Sequence, residues 1–323
     1  MPRIHRVTSR YAAIALAVCI LMPPIHVGAQ TGVGIPVPSH DCGDRSAARE
    51  WQYDVAARIR PLVFWTGWKE VGEGRIRRSE SDSARYLELL IGTDPERAPL
   101  GINRWGYIVE TGCGPTAQIL GIMTASDEET IEEATVHVSQ GSSARQIYKA
   151  IRGSLTGDQA VVEILRLAVA EKLTFRDIDA LMMRLPPPGT ARRAAVPSGA
   201  HGGLLTAVAT LVRQSQTEYR QSGKLSPLPP QAFVFAGKMY DLTLRSAKSD
   251  SKPTVSSQTH PPTIKGEFEV RNRATGRLAR FRLEYAADEV LGRAPLRVVY
   301  QPRWWLQIEL RLRDAVPMRA AGG

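Results

Sequence analysis

Two stretches of this chain, residues 62–123 and 231–313, consist of short alternating segments cut apart by Gly, Pro, Asp and Ser, and they lie at opposite ends of the folded part. Apolar alternation with a period of two, punctuated by turn residues, marks antiparallel strands. In the first stretch LVFWTGWKEV, GRIRRSE, RYLELLIGT, INRWGYIVE and AQILGIMT follow one another as a meander. In the second, FVFAGKMYDLTLRS reads as a hairpin around Gly237 and GEFEVRNRATGRLARFRLEY as another around Thr275-Gly276, whose simplest pairing places Glu267 and Glu269 near Arg282 and Arg280 on a solvated face. PLRVVYQPRWWLQIELRLR adds two last strands broken by Pro302. Neither set alone covers both its edges, and an uncovered edge invites aggregation. The expectation is therefore an α+β fold with one curved antiparallel sheet, or an open half-barrel, drawn from both ends of the chain.

The residues between and before these stretches read differently. In SAAREWQYDVAARIR, Trp51, Val55 and Ile59 recur at i, i+4, which predicts a short helix capped by Ser46 and ended by Pro61. Residues 126–223 are expected to form a mainly helical insertion. Ser126 and Glu129 have capping-box spacing, GDQAVVEILRLAVAEK reads as a helix, and Thr174 caps a helix in TFRDIDALMMRL that the prolines at 186–188 stop. LLTAVATLVRQSQTEYRQSG is a further helix ending at Gly223, whereas Gly153 tips RQIYKAIRGSL towards a strand. The organisation is then 1–29 leader, 30–45 Pro/Gly-rich segment, 46–125 helix and strands, 126–223 insertion and 224–323 C-terminal strands, in one integrated domain.

The first residues, MPRIHRVTSR, carry three arginines and no acid; an apolar run and Gly28-Ala29 follow. This is the layout of a secretory signal peptide, with cleavage expected after Ala29 and a periplasmic or secreted destination. No later segment is apolar for long enough to span a bilayer as a helix. Loss of the leader's three arginines lowers the formal charge from +10 to +7, which favours a lipid or another amphipathic or anionic ligand of the cell envelope. Nucleic acid is not expected, because the arginines are scattered among glutamates along strands.

Two cysteines remain after processing, Cys42 and Cys113. In an exported chain an even count predicts a disulfide, here closing a loop of about 70 residues, a constraint on the order of 4 kcal/mol. The segment CGPTA at 113–117 resembles the nucleophile segment of the papain-like peptidases of the bacteriocin-processing (C39) type. That resemblance implies a cysteine opening a helix whose positive end lowers the thiol pKa, an upstream glutamine for the oxyanion, and a downstream histidine followed by an aspartate. The residues before Cys113 are INRWGYIVETG, without glutamine, and the mature histidines are His40, His137, His201 and His260. Strand-like WGYIVE followed by Gly112-Cys113-Gly114-Pro115 reads instead as a hairpin turn.

No Walker loop, dinucleotide fingerprint, GxSxG segment or cluster with metal-ligand spacing occurs, so neither cofactor nor metal is expected. The expected function is non-catalytic binding, with a hydrolase using Cys113 as the alternative. The sheet-and-helix arrangement resembles the half-barrel carriers of bacterial envelopes, which implies an apolar ligand between a concave sheet and helices. Trp65, Trp68, Trp105, Trp304 and Trp305 are the candidate wall of such a site. Adjacent strand residues point to opposite faces, so Trp304 and Trp305 cannot both enter one core.

Overall fold

The computed structural model describes residues 48–60, 65–81, 83–124, 136–138, 146–169, 173–186, 191–250, 262–288 and 294–313. The leader, Cys42, Ser46 and the Ser126–Glu129 capping box lie outside these residues.

Among the described residues fifteen strands form one sheet. They are β1 Arg49–Ile59, β2 Thr66–Glu80, β3 Ala84–Thr93, β4 Trp105–Cys113, β5 Thr116–Thr124, β6 Val136–Val138, β7 Gln146–Thr156, β8 Gln159–Val169 and β9 Arg192–Ala195 in the first part. After helix α2, β10 Gln231–Phe235, β11 Lys238–Asp250, β12 Thr263–Asn272, β13 Leu278–Ala286, β14 Pro295–Arg303 and β15 Leu306–Leu312 complete it. The order runs β10-β11-β12-β13-β14-β15-β1-β2-β3-β4-β5-β7-β8-β6, with β9 also on β8. The two ends of the chain meet where β15 pairs antiparallel with β1, from Tyr53↔Leu312 to Ile59↔Leu306. One sheet from both ends is thus the architecture, and its ladder does not close into a barrel.

Two expected helices are strands. Residues 49–59 form β1: Trp51, Tyr53, Val55, Ala57 and Ile59 alternate as well as they recur at i, i+4, and the buried members Tyr53, Val55 and Ala57 face one cluster with Ile308 and Leu310. The mainly helical insertion over 126–223 also needs correction. Residues 146–156 and 159–169 are the β7–β8 hairpin, and α2 Leu204–Ser222 is the long helix there, beside the six-residue α1 Ile178–Met183. The strand reading of RQIYKAIRGSL, the Thr174 cap and the helix end at Gly223, at φ +67°, match the structure, in which Thr174 and Asp177 form a capping box on the 3-10 turn before α1.

Both faces of the β3–β8 region are covered. On the concave face α2 lays Ala207, Leu211 and Val212 against Ile108, Ile151 and Val162 on one side and Phe233, Tyr240, Phe268 and Tyr285 on the other. On the convex face the 3-10 turn Phe175–Asp177 and α1 cover Trp105, Tyr107, Tyr148, Leu165 and Leu167. The sheet curves far enough for its ends to face each other, and Leu155, Ala160, Val196 and Val234 pack together across the seam. Residue 201 joins the far edge there: its N–H donates to the Ala232 carbonyl at 2.8 Å, and its carbonyl accepts from the Val234 N–H at 3.0 Å.

Helix α2 is fixed at both ends. Gly203 offers no side-chain cap, and the buried carboxylate of Glu110 on β4 takes that role, accepting the Leu205 N–H at 2.8 Å and the Thr206 N–H at 2.7 Å. Burial pushes the Glu110 carboxyl above its ordinary pKa, against the opposing pull of these N–H groups and of Arg85. Towards the other end, buried Ser215 and the Tyr285 hydroxyl lie 2.8 Å apart, and Gln216 donates to the Ala286 carbonyl at 2.7 Å. The concave side is therefore occupied by the chain's own helix.

Candidate functional site

Cys113 is the last residue of β4, half-buried and paired with Thr116 across a tight turn in which Gly114 takes φ +53°. The peptide resembling a peptidase nucleophile segment is thus a hairpin turn followed by β5, with no helix opening at the cysteine. His201, whose Nε2 lies 3.0 Å from Gln231 Oε1, has its pKa lowered by burial.

The five candidate tryptophans occupy different places. Trp105 is fully buried under the 3-10 turn and α1, its Nε1–H donating to the Leu173 carbonyl at 3.3 Å. Trp68 is half-buried against the β1–β15 cluster. The remaining three gather at one end of the sheet, where Trp304 is 66% exposed, Trp65 is 41% exposed and Trp305 is half-buried. The division of the Trp304-Trp305 pair follows from the turn they occupy between β14 and β15, closed by Arg303↔Leu306 just beyond Pro302.

A cleft of about 250 Å³ opens on the convex face between β1, β2 and the 3-10 turn, lined by Glu50, Gln52, Glu73, Arg75, Arg176 and Arg313. Its charges satisfy one another: Arg97 bonds Glu73 at 2.8 Å and Asp94 at 3.0 Å, and Arg176 bonds Asp94 at 3.0 Å. Such a network holds the turn to the sheet and leaves little unpaired charge for a ligand.

The convex face of β11–β15 and β1 is different in kind. Cross-strand register places Glu267 opposite Arg282 and Glu269 opposite Arg280, the pairing read from the hairpin sequence. Glu269 and Glu309 lie low with cations over them, whereas Glu267 is exposed and accepts from the Ser246 hydroxyl at 3.2 Å. Glu269, 6% exposed, accepts from Arg280 at 2.9 Å, and that arginine is 70% exposed. Glu309, 1% exposed, accepts from Arg297 at 2.7 Å and from Arg311 at 2.5 Å, with Arg58 at 3.9 Å. Burial alone would raise the Glu309 pKa, but the bonds from Arg311 and Arg297 outweigh it and hold the carboxyl below its ordinary value. Lys248, Lys265, Arg271 and Arg282 are exposed on the same face, and Glu284 between them is buried. The strip therefore buries Glu269, Glu284 and Glu309, and its exposed cations, Lys248, Lys265, Arg271, Arg280, Arg282 and Arg311, outnumber its exposed acid, Glu267.

Sequence reasoning found the Glu–Arg hairpin pairs but missed the strip: Arg58 reaches Glu309 across the β1–β15 ladder that joins opposite ends of the chain, and Arg297 and Arg311 reach it through the alignment of β14 with β15. Among the described residues no group of three or more His, Cys, Asp or Glu is placed to hold a metal. No helix among them is long and apolar enough to cross a membrane. No known protein family, curated protein or solved structure matches this chain.

Proposed function

We propose that this is an exported, non-catalytic envelope protein, processed after Ala29, whose open half-barrel binds a phosphate-bearing amphipathic lipid surface on its convex face. One observation carries the reading: Glu269, Glu284 and Glu309 are buried on a face whose cations Lys248, Lys265, Arg271, Arg280, Arg282 and Arg311 are exposed, so that, with Glu267 as the exposed acid among them, the face presents an excess of cations outward. Guanidinium groups meet phosphate bidentately, and a broad sheet face suits an extended anionic surface. The ligand of this reading lies outside the sheet, since α2 occupies the inside.

Vesicle co-sedimentation tests it. The protein should bind vesicles rich in phosphatidylglycerol, bind phosphatidylcholine vesicles weakly, and be released by salt. Replacing Lys248, Arg271 and Arg282 together by glutamine removes three exposed cations while sparing the hydrogen bonds that hold Glu269 and Glu309. At about 1 kcal/mol per cation near an anionic surface, affinity should fall on the order of 100-fold at low salt. Equal binding to both vesicle types, or an unchanged triple variant, would overturn the reading.

The same reading pairs Cys113 with Cys42. Exported protein should then take up iodoacetamide only after reduction. Stoichiometric alkylation of Cys113 beforehand, with a rate that persists well below pH 8, would restore the cysteine hydrolase, whose nucleophile must be a free thiolate.

A further inference from the structure

We propose that the end of the sheet where the β14–β15 turn lies beside the start of β2 is an interfacial anchor, entering the headgroup layer of an anionic bilayer through Trp304 and Trp65. The inference rests on the bilayer-surface reading and deepens it by fixing which end of the sheet goes in.

Trp304 and Trp65 are two of the four exposed large hydrophobic residues among those described, and they sit at the same place. Ile59 pairs with Thr66 on one side and with Leu306 on the other. With strands about 4.8 Å apart, the two tryptophan-bearing ends are about 10 Å from each other. The Arg60 N–H donates to the Trp305 carbonyl at 2.7 Å, tying them together.

Folding gives no reason for this composition. A two-residue hairpin turn ordinarily takes Asn, Asp or Gly, whose backbones suit it and whose small side chains stay solvated. Here the turn is Trp304-Trp305, and the indole of Trp304 stands in solvent, adding nothing to the core. An exposed indole has its most favourable setting at the boundary between water and hydrocarbon, where its N–H stays hydrated and its rings leave water.

The surrounding charges suit phosphate. Lys69 is exposed, Arg58 and Arg60 are partly exposed, and Glu70, next to Lys69 in the chain, is an exposed acid. Arg58 also belongs to the cationic strip, so tip and strip are continuous. A bilayer could then meet the tryptophans at headgroup depth and the arginines of β15 and β14 at its surface.

The test uses tryptophan fluorescence of the full-length mature protein with vesicles of phosphatidylglycerol and phosphatidylcholine, with and without lipids brominated high on the acyl chain. Wild type should be quenched by the brominated lipid. Trp65→Ala/Trp304→Ala should lose that quenching and bind at least 10-fold more weakly, with an unchanged melting temperature because both side chains are exposed. Trp105→Phe, which alters a buried tryptophan, should keep the quenching. Salt-sensitive vesicle binding with quenching equal in wild type and double variant would overturn the anchor and leave the electrostatic reading standing. Absence of vesicle binding would overturn both.

Discussion

Replacing Gly203 by alanine should unseat the long helix from the sheet, although the change adds a single methyl group. Gly203 has φ −174°, extended backbone that alanine adopts without strain, so the effect is one of space. A Cβ there would lie 2.2 Å from Cδ and Oε1 of Glu110. The carboxylate can make room only by giving up the N–H groups of Leu205 and Thr206, for which it is the cap. Hydrogen bonds to a charged acceptor contribute about 1.5–3 kcal/mol each, so loss of both should cost about 3–6 kcal/mol, a large part of a typical stability of about 5–15 kcal/mol. Urea unfolding followed by circular dichroism should show a lower midpoint at nearly constant slope. Glu110→Ala should lose a similar amount. The double variant should be no worse than either single one, because the small side chain at 110 frees the space that the added methyl group needs. A Gly203→Ala protein within about 0.5 kcal/mol of wild type, or strictly additive losses, would show that Glu110 does not hold the helix.

The importance of that one carboxylate was not visible in the sequence. Glu110 and Gly203 are 93 residues apart, and SGAHGG before α2 reads as a linker rich in small residues. What could be read was local: hairpins around Gly237 and Thr275-Gly276, the Thr174 cap and the end of α2 at Gly223, each set by neighbours in the chain, whereas the last hairpin turns at Trp304-Trp305 and not at Pro302, where the sequence broke it. The misreadings share one physical origin. An i, i+4 recurrence is also an even-numbered spacing, so Trp51, Val55 and Ile59 fit a strand as well as a helix. In β8, Val162 and Ile164 pack towards α2 while Leu165 and Leu167 pack towards α1. A strand covered on both faces loses its alternation and shows an almost continuous apolar run. Its Val and Ile content was the remaining signal for strand. The cationic strip was legible in halves: the Glu267–Arg282 and Glu269–Arg280 pairs follow from hairpin register, whereas the Arg297–Glu309–Arg311 set needs the β14–β15 alignment, which shifts between Tyr300 and Arg303.

The same long-range pairing decides what the C-terminal strands can do alone. Expressed without the rest, residues 224–323 should be recovered as aggregate, despite containing six consecutive strands that pair with one another. In the intact chain β15 is hydrogen-bonded to β1 along seven residue pairs, so the fragment exposes the β15 edge as a template for association. It also uncovers its concave face. Tyr240, Leu242, Phe268, Leu283 and Tyr285 are buried in the cluster that includes Ala207 and Leu211 of α2, and the fragment lacks that helix. At about 2 kcal/mol for each large apolar side chain returned to water, the loss approaches the whole stability of a typical domain. Co-expression with residues 30–223 should restore a soluble one-to-one complex, because both the β1 partner and α2 come back with it. The measurement is size-exclusion chromatography with light scattering, followed by thermal melting of each species. A fragment 224–323 that runs as a monomer and melts cooperatively by itself would mean that α2 and β1 only decorate a finished six-stranded unit, and the single sheet would then be two domains joined along the β15–β1 ladder.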